Sequence, residues 1–593
     1  MENREKEKQI TASVIAVRWE RIHLFLDVKI ESGKDMQNDA VLDFYMVNQQ
    51  FAAQAKLKVL GIENGIYHLK VNITNNGANE CLPSGQYSIY ACRNDAKIAD
   101  CVADYSIVAD MDELSRNFLY WAMKKVYTVT FYVEEGEEIL PFRMNILAAN
   151  KAGMSFPKNA KLRNQIHPYK DLKKTWLSKR NFLRNLYRIY AVLYKSERKK
   201  TVLFLSEQNE VIASNLKAVA DRMKARGMES DYRILYSARP AAAVGQGIKS
   251  WLLLIKKLGQ SGTVFVDDHA PVLDWLKLKE DTKLIQLWHA GAGFKSSGYS
   301  RWGHLGCPGP QSAHRQYDYG IAGSRQIAPF FSEVWGINDE RVLPTGMPRM
   351  DEYLDASYQE RKTSELYEKY PIIKEKKVIL FAPTYRGKNK KEAYYPYDLI
   401  DFSALYELCG EESVVLFKMH PWVNSGVPIE KKYRDRFQDV GKYPNINDLF
   451  YITDLLITDY SSNIFEYSLM KKPMLFFAFD KIQYSFSRGF HRDYEESAPG
   501  KICYTFAEVL RAIDEKDYCY EKVEEYVEHH FDYVDSHASD RVIDWILLGN
   551  IPEDLQKQIT KVEEEVAHMR NLDFAPIGIS ESGSESEEEE EEE

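Results

Sequence analysis

At 593 residues the chain has room for three or four domains of roughly 150 residues each. Its composition, 45% hydrophobic and 28% charged, excludes wholesale disorder, because a core of ordinary size can be buried. The net charge of −10 says little about partners: the last 13 residues hold nine Glu and no base, and without them the chain carries about −1.

No run of about 18 apolar residues exists, so a spanning helix is not expected. Met1 to Gln9 are charged and lead into no apolar stretch of signal-peptide type. The seven Cys are scattered, odd in number and without a CxxC pair. That argues against a disulfide framework and a structural zinc site, and fits a reducing, cytosolic compartment.

Residues 1–150 read as a β-rich accessory domain. Apolar and polar residues alternate through Val41–Val47, Tyr67–Ile73, Tyr87–Ala91 and Tyr127–Val133, the period of half-buried strands. Asn75-Asn76-Gly77 and Pro83-Ser84-Gly85 supply turns. The expectation is a small antiparallel sandwich.

Residues 151–200 form a basic linker. From 158 to 200 there are 14 Lys or Arg against Asp171 and Glu197. Trp176, Phe182, Leu183, Leu186, Tyr187, Tyr190, Leu193 and Tyr194 interleave at mostly helical spacing. Such a segment suits an anionic lipid surface, or a helix packed on the next domain with its charges in water. No nucleic-acid motif accompanies the charge, so no nucleic-acid partner is expected.

From 201 short apolar runs alternate with helical stretches. Thr201–Leu205, Tyr232–Tyr236, Thr263–Val266, Leu284–Trp288 and Tyr319–Ala322 make one series, within 201–355. Val378–Phe381, Val414–Lys418, Leu455–Ile457 and Met474–Phe477 make a second, within 356–550. Such alternation implies parallel sheets covered on both faces, here as two Rossmann-like halves. Ligands of such sheets sit beyond the carboxyl ends of the strands. Residues 551–593 are expected to form a helical and then disordered acidic tail.

Polar residues gather just after these strands. In Trp288-His289-Ala290-Gly291-Ala292-Gly293-Phe294-Lys295, His289 can take a proton from a hydroxyl and Lys295 can face a phosphate. The segment fails the spacing of a phosphate-binding GxxxxGK[ST] loop, which rejects a nucleotide-triphosphatase. Arg386, in Ala382-Pro383-Thr384-Tyr385-Arg386, has the fork that suits a diphosphate, although an exposed surface Arg reads the same way. His420, held out of helical geometry by Pro421, is a candidate phosphate donor or a buried, backbone-bonded imidazole. In Thr458-Asp459-Tyr460-Ser461-Ser462, Ser461 and Ser462 are expected to open a helix, as cap and anion seat together. Glu466 falls near a capping-box position or faces a ribose, and Asp459 is grouped with it. Thr345 to Asp351 reads as the turn joining the halves. Asp267-Asp268-His269 is a weak metal candidate, and no metal or cofactor is expected.

Taken in order, these segments resemble the CDP-glycerol glycerophosphotransferase family, the teichoic acid polymerases and primases. The matching pieces are Trp288-His289 with Gly291 and Lys295, Gly346-x-Pro348-Arg349-x-Asp351, Ala382 to Arg386, His420-Pro421, and Thr458 to Ser462 with Glu466. They span roughly residues 200–545. The resemblance implies a GT-B-type α/β fold behind the β-sandwich-like domain. It implies a transferase that moves glycerol phosphate or ribitol phosphate from a CDP-alcohol to the terminal hydroxyl of a lipid-linked or growing polymer, releasing CMP. It also implies His289 as the base, and Arg386, His420, Ser461 and Ser462 as ligands of the donor diphosphate. The family's members are peripheral membrane enzymes, so a cytoplasmic position on the inner face of the membrane follows. Two other readings stand beside it: a GT-B nucleotide-sugar glycosyltransferase and a non-catalytic membrane-surface scaffold.

Overall fold

The computed structural model describes residues 10–31, 41–49, 52–121, 123–133, 140–150, 178–240, 247–387 and 390–574. Two compact units result. One comprises the described residues up to 150 together with 302–306 and 560–574; the other comprises 178–301 and 307–559.

The first unit holds ten strands among the described residues: β1 (Thr11–Glu20), β2 (His23–Glu31), β3 (Asp43–Asn48), β4 (Ala53–Glu63), β5 (Ile66–Asn72), β6 (Gly85–Arg93), β7 (Ala96–Ala103), β8 (Arg116–Tyr120), β9 (Lys125–Val133) and β10 (Phe142–Asn150). Strict alternation of buried and half-buried residues along β5 shows the period-two signal at work. The expected open sandwich is corrected, however. The strands run β3-β4-β5-β2-β1-β7-β6, and β6 pairs back onto β3, closing a seven-stranded ring. The ring is mixed, since β1 and β7 are parallel. The amino-terminal half of β6 pairs with β10, which carries β9 and β8 as an extension. Closure satisfies the edge amides that two separate sheets would leave unpaired.

The second unit contains both parallel sheets. The first uses β11 (Thr201–Ser206), β12 (Arg233–Ala238), β13 (Thr263–Val266), β14 (Lys283–Gln286), β15 (Tyr319–Ile321) and β16 (Val342–Leu343), in the order β12-β11-β13-β14-β15-β16. The second uses β17 (Lys377–Phe381), β18 (Ser413–Phe417), β19 (Phe437–Asp439), β20 (Leu455–Thr458), β21 (Met474–Phe477) and β22 (Lys501–Cys503), in the order β19-β18-β17-β20-β21-β22. The central strands are buried along their whole length, which is why they read as continuous apolar runs. The order of the second sheet reverses direction between β17 and β20, the position at which doubly wound sheets bind ligands.

One hydrophobic core runs through both halves, from Phe204 and Ile285 to Leu380, Leu456 and Phe476. The chain then returns to the first half. Asp540 pairs with Arg222 at 2.8 Å and Arg226 at 3.1 Å. Asp351 accepts from the amides of Ala538 and Ser539, both at 2.8 Å. The conspicuous Asp351 therefore fastens the returning chain.

Of the basic segment, residues 158–177, including Trp176, lie outside the described residues. The remainder is a helix, Lys179–Leu193, capped by Ser178, whose hydroxyl accepts from the Asn181 amide. It buries Leu183, Tyr187 and Ala191 in the same cluster as Leu254, Ile255 and Leu258 of the helix Ile248–Gln260. Gly259 allows the close approach: a Cβ there would stand 2.5 Å from that of Tyr190. The acidic run after Phe574 also lies outside the described residues. None of the seven cysteines is joined in a disulfide, and no described helix is long and apolar enough to cross a membrane.

Candidate functional site

In the first half the loop after β14 begins with a strained residue. Trp288 has φ 42°, a left-handed conformation that costs a bulky side chain about 1–3 kcal/mol. Three contacts hold it there. The Trp288 amide donates to Gln286 Oε1 at 2.8 Å. Asn215, fully buried, donates to the carbonyls of Leu287 and Trp288, both at 2.9 Å. Packing of the Trp288 ring against Phe331 and Trp335, with centroids 5.2 and 5.7 Å away, completes the clamp.

His289 is thereby turned outward, with its side chain 56% exposed and its Nδ1 3.7 Å from Asp268 Oδ2. Asp268 lies just past the end of the neighbouring strand β13. The carboxylate sits on the Nδ1 side of the ring and leaves Nε2 facing away from it. The weak metal candidate dissolves in this geometry. Asp267 accepts from Asn209, His269 pairs with Asp274, and Asp268 faces His289. Among the described residues no group of three or more His, Cys, Asp or Glu is gathered to hold an ion.

The loop then crosses to the second half. A Cβ on Gly291 would stand 2.5 Å from the ring of Phe465, so only glycine fits. The Phe294 carbonyl accepts from the His491 amide at 2.8 Å, and the Ser296 amide donates to Gly489 at 3.2 Å. Arg349 bolts the same junction: Nη1 donates to the His289 carbonyl at 2.7 Å, and Nε to Glu466 Oε1 at 3.0 Å. The Arg349 amide in turn donates to Asn215.

The second half corrects several expectations. Arg386, expected to grip a diphosphate, is buried and fully committed. Its Nε and Nη2 donate to Asp480 at 2.6 and 2.9 Å, and its Nη1 to Asp459 at 2.9 Å. Burial alone would lower its pKa, but Asp459 and Asp480 outweigh that and raise it. Asp459, grouped with the ribose ligands, has no exposed surface. It accepts from the Thr384 amide and hydroxyl, the Tyr460 amide and Arg386. Glu466 is neither a capping acid nor free for a ribose, because Arg349 occupies it. The helix begins at Ile464, not at the serines, and is five residues long with Asn463 at its N-cap. The Ser461 hydroxyl accepts from the Asn463 amide at 3.3 Å, which delays the first helical turn.

The groups left to meet a ligand are fewer. Ser462 is exposed, and among the described residues the amides of Ser461, Ser462 and Ile464 have no acceptor. His420 Nδ1 accepts from the Trp422 amide at 3.2 Å, which places the ring proton on Nε2. Burial, then the nearby cations Lys295 and Lys418, push its pKa down to about 4 against the pull of Asp459. His420 is therefore a neutral donor near pH 7, in keeping with the candidate phosphate donor, and it brings no positive charge. Lys295 supplies that charge. Its side chain is exposed to solvent. Desolvation by the surrounding protein brings its pKa down to about 8, with Asp459 opposing and Arg488 and Arg386 adding to the shift. An ammonium from the first half thus lies within electrostatic reach of Asp459, Arg386 and His420 from the second.

Sequence reasoning missed Asn215, Asp480, Arg488 and Trp422, whose ring lies 4.8 Å from that of Tyr385, beside His420. None sits in a pattern that spacing alone marks.

Two parallel six-stranded sheets with loops meeting at their carboxyl ends define a two-lobed α/β fold of GT-B type. A family model described as CDP-glycerol:poly(glycerophosphate) glycerophosphotransferase matches residues 187–548, and the chain belongs to that family. It is similar to the teichoic acid ribitol-phosphate polymerase TarK of Staphylococcus aureus, 36% identical over 422 residues, covering 70% of this chain and 81% of that protein. It is also similar to a teichoic acid poly(ribitol-phosphate) polymerase of Bacillus spizizenii, 31% identical over 490 residues, covering 81% and 77%. The solved wall teichoic acid polymerase TagF shares the fold at a TM-score of 0.50 and 23% identity, over 66% of this chain and 97% of that one.

Proposed function

We propose that the chain moves ribitol phosphate from CDP-ribitol to the terminal hydroxyl of a lipid-linked or growing polyol phosphate polymer, releasing CMP. The observation that carries this is that Lys295, on the loop that also presents His289, lies within electrostatic reach of His420 and of Asp459, which precedes the Ser461–Ile464 turn. In this reading the donor diphosphate lies over the turn. Lys295 neutralises its charge, and His420 Nε2, Ser462 and the free amides donate to its oxygens. His289 Nε2 removes the proton of the acceptor hydroxyl, oriented by Asp268 on the other side of the ring. The oxygen attacks the phosphorus bearing the polyol, that phosphorus loses its bond to the bridging oxygen, and CMP departs with the bond's electrons. The described donors supply the positive potential, and no metal is assigned to the step. Ribitol is preferred to glycerol because the ribitol-phosphate polymerases match at 31–36% over 70–81% of the chain.

A panel of labelled CDP-ribitol, CDP-glycerol and UDP-sugars, offered with a lipid-linked acceptor, tests the reading. CDP-ribitol is expected to be consumed fastest. Consumption of a UDP-sugar alone would favour the glycosyltransferase.

The Lys295 charge gives a pH dependence. In the free enzyme the ammonium is present below about pH 8 and lost above it. Donor affinity is expected to weaken as pH rises through that value, by up to about tenfold per unit. Lys295→Gln should bind weakly at all pH values and lose the dependence. A titration of CDP-ribitol showing the same slope in both proteins would remove Lys295 from the donor site.

A membrane contact is part of the proposal. The helix Lys179–Leu193 exposes a second apolar ridge opposite its packed face, with Phe182 56%, Ile189 54% and Leu193 68% exposed. Arg180 and Arg188 are also exposed. Apolar ridge plus basic flank suits an anionic bilayer surface. Phe182→Ser with Ile189→Ser is expected to weaken co-sedimentation with phosphatidylglycerol vesicles about tenfold or more. Unchanged sedimentation would leave the ridge without this role.

A further inference from the structure

The loop that carries Lys295 and the helix Lys481–Ser487 bring together two further cations. Lys295 forms an antiparallel bridge with Phe490, and the Ser296 amide donates to the Gly489 carbonyl at 3.2 Å. That pairing sets the first-half loop alongside Arg488, at the end of the helix. Gly489 has φ 76°, a turn that suits glycine and places the bridge directly behind Arg488. Arg488 Nη2 donates to the Tyr385 hydroxyl at 3.0 Å, and the Tyr385 ring lies against His420. Further along the same loop, Arg301 closes the short helix Gly298–Arg301. Arg488 lies within electrostatic reach of both Lys295 and Arg301, and so links them.

Neither arginine is offset. Arg386 is neutralised by Asp459 and Asp480, whereas among the described residues no carboxylate pairs with Arg488 or Arg301. Both are half-buried, so both forks can be reached from solvent. In Arg301 only Nε is sealed without an acceptor, and Nη1 and Nη2 stay open. Burial, and then the like charge of Arg488, lower the pKa of Arg301. Like charges drawn together at a half-buried site oppose folding until an anion joins them. The donor diphosphate already has Lys295, His420 and the turn. The other substrate is itself a polyanion with one phosphodiester per unit, and its terminal hydroxyl must reach His289, at the head of the loop that ends in Arg301. Guanidinium forks match phosphate oxygens in pairs. We propose that Arg488 and Arg301 together seat a phosphodiester of the acceptor chain. The inference rests on the function proposed above and adds to it the residues that hold the acceptor, with a preference for anionic over neutral polyol acceptors.

The test is calorimetric titration of the full chain with a three-unit ribitol phosphate oligomer, with CDP filling the donor site, near pH 7. Arg488→Gln and Arg301→Gln should each weaken binding of the oligomer about tenfold, the worth of a charged hydrogen-bonded contact, and leave CDP-ribitol affinity within about threefold of the wild type. Acceptor KM should rise with little change in kcat. Arg488→Lys keeps the charge and should recover part of the affinity, which a purely structural role would not predict. Neither arginine holds an ion pair, so the variants should melt near the wild type. Oligomer affinity unchanged in the folded Gln variants would overturn the seat. So would a loss of CDP-ribitol affinity as large as that of the oligomer, which would give both forks to the donor. CMP release by the wild type reports separately on the function: its absence with every acceptor fails that reading, whereas release with unimpaired variants fails the seat alone.

Discussion

Replacing His289 with Ala is expected to lower turnover about a hundredfold or more, the usual loss when general-base assistance disappears. Donor affinity should stay within a few-fold of the wild type. The reason is spatial. His289 reaches out from the first half with its side chain half exposed and only Asp268 beside its ring nitrogen. The groups assigned to the diphosphate, Lys295, His420, Ser462 and the turn amides, are untouched by the change. The fold should be untouched as well, because Trp288 is held by Asn215 and Gln286, and the His289 carbonyl by Arg349. Rapid-quench measurement of CMP formation in a single turnover, paired with equilibrium binding of CDP-ribitol, separates the two effects. Normal turnover in the variant would move the base elsewhere. Weakened donor binding with normal turnover would make His289 a ligand of the donor.

Replacing Arg386 with Met is expected to act in the opposite manner, through the fold. Removing the guanidinium strands Asp459, which has no exposed surface, and Asp480, which is 15% exposed. Breaking a buried ion pair from one side costs about 3–5 kcal/mol, because the remaining charge is uncompensated. Asp459 also accepts from the main chain of Thr384 and Tyr460, so its disturbance spreads to both segments that frame the turn at Ser461. Urea unfolding should show a lower midpoint with a similar slope, and activity should fall with it. A variant of full stability whose only defect is a raised donor KM would return Arg386 to the diphosphate.

These two expectations show where the sequence was informative. The eight interior strands of the two sheets and the edge strand β12 coincide with short apolar runs, and in the interior strands burial on both faces leaves no room for alternation. The sheet edges are another matter. β16, β19 and β22 have two or three residues each, too few for any period to register. The ring of the first unit escaped for a topological reason: β3 pairing with β6 is a long-range choice that no local pattern encodes. At the site, the loops themselves were legible from their position after strands. What each side chain does there was not. Arg386 and an anion-binding Arg have the same sequence signature, and only the carboxylates of Asp459 and Asp480 distinguish them. Lys295 gains its importance from second-half charges within its reach, Asp459, Arg386 and Arg488, and His420 loses its charge to burial and to the nearby Lys295 and Lys418. Arg349 looked like part of a turn, and it is also the clasp between His289 and Glu466.

The most direct measurement is a phosphorus magnetic resonance spectrum of one turnover with CDP-ribitol and a lipid-linked acceptor. If a hydroxyl deprotonated at His289 attacks the phosphorus that bears the polyol, the nucleotide product is CMP and a new diester signal grows in equal amount. Release of CDP, with both phosphates still on the nucleoside, would mean that a carbon had been transferred instead and would contradict the account.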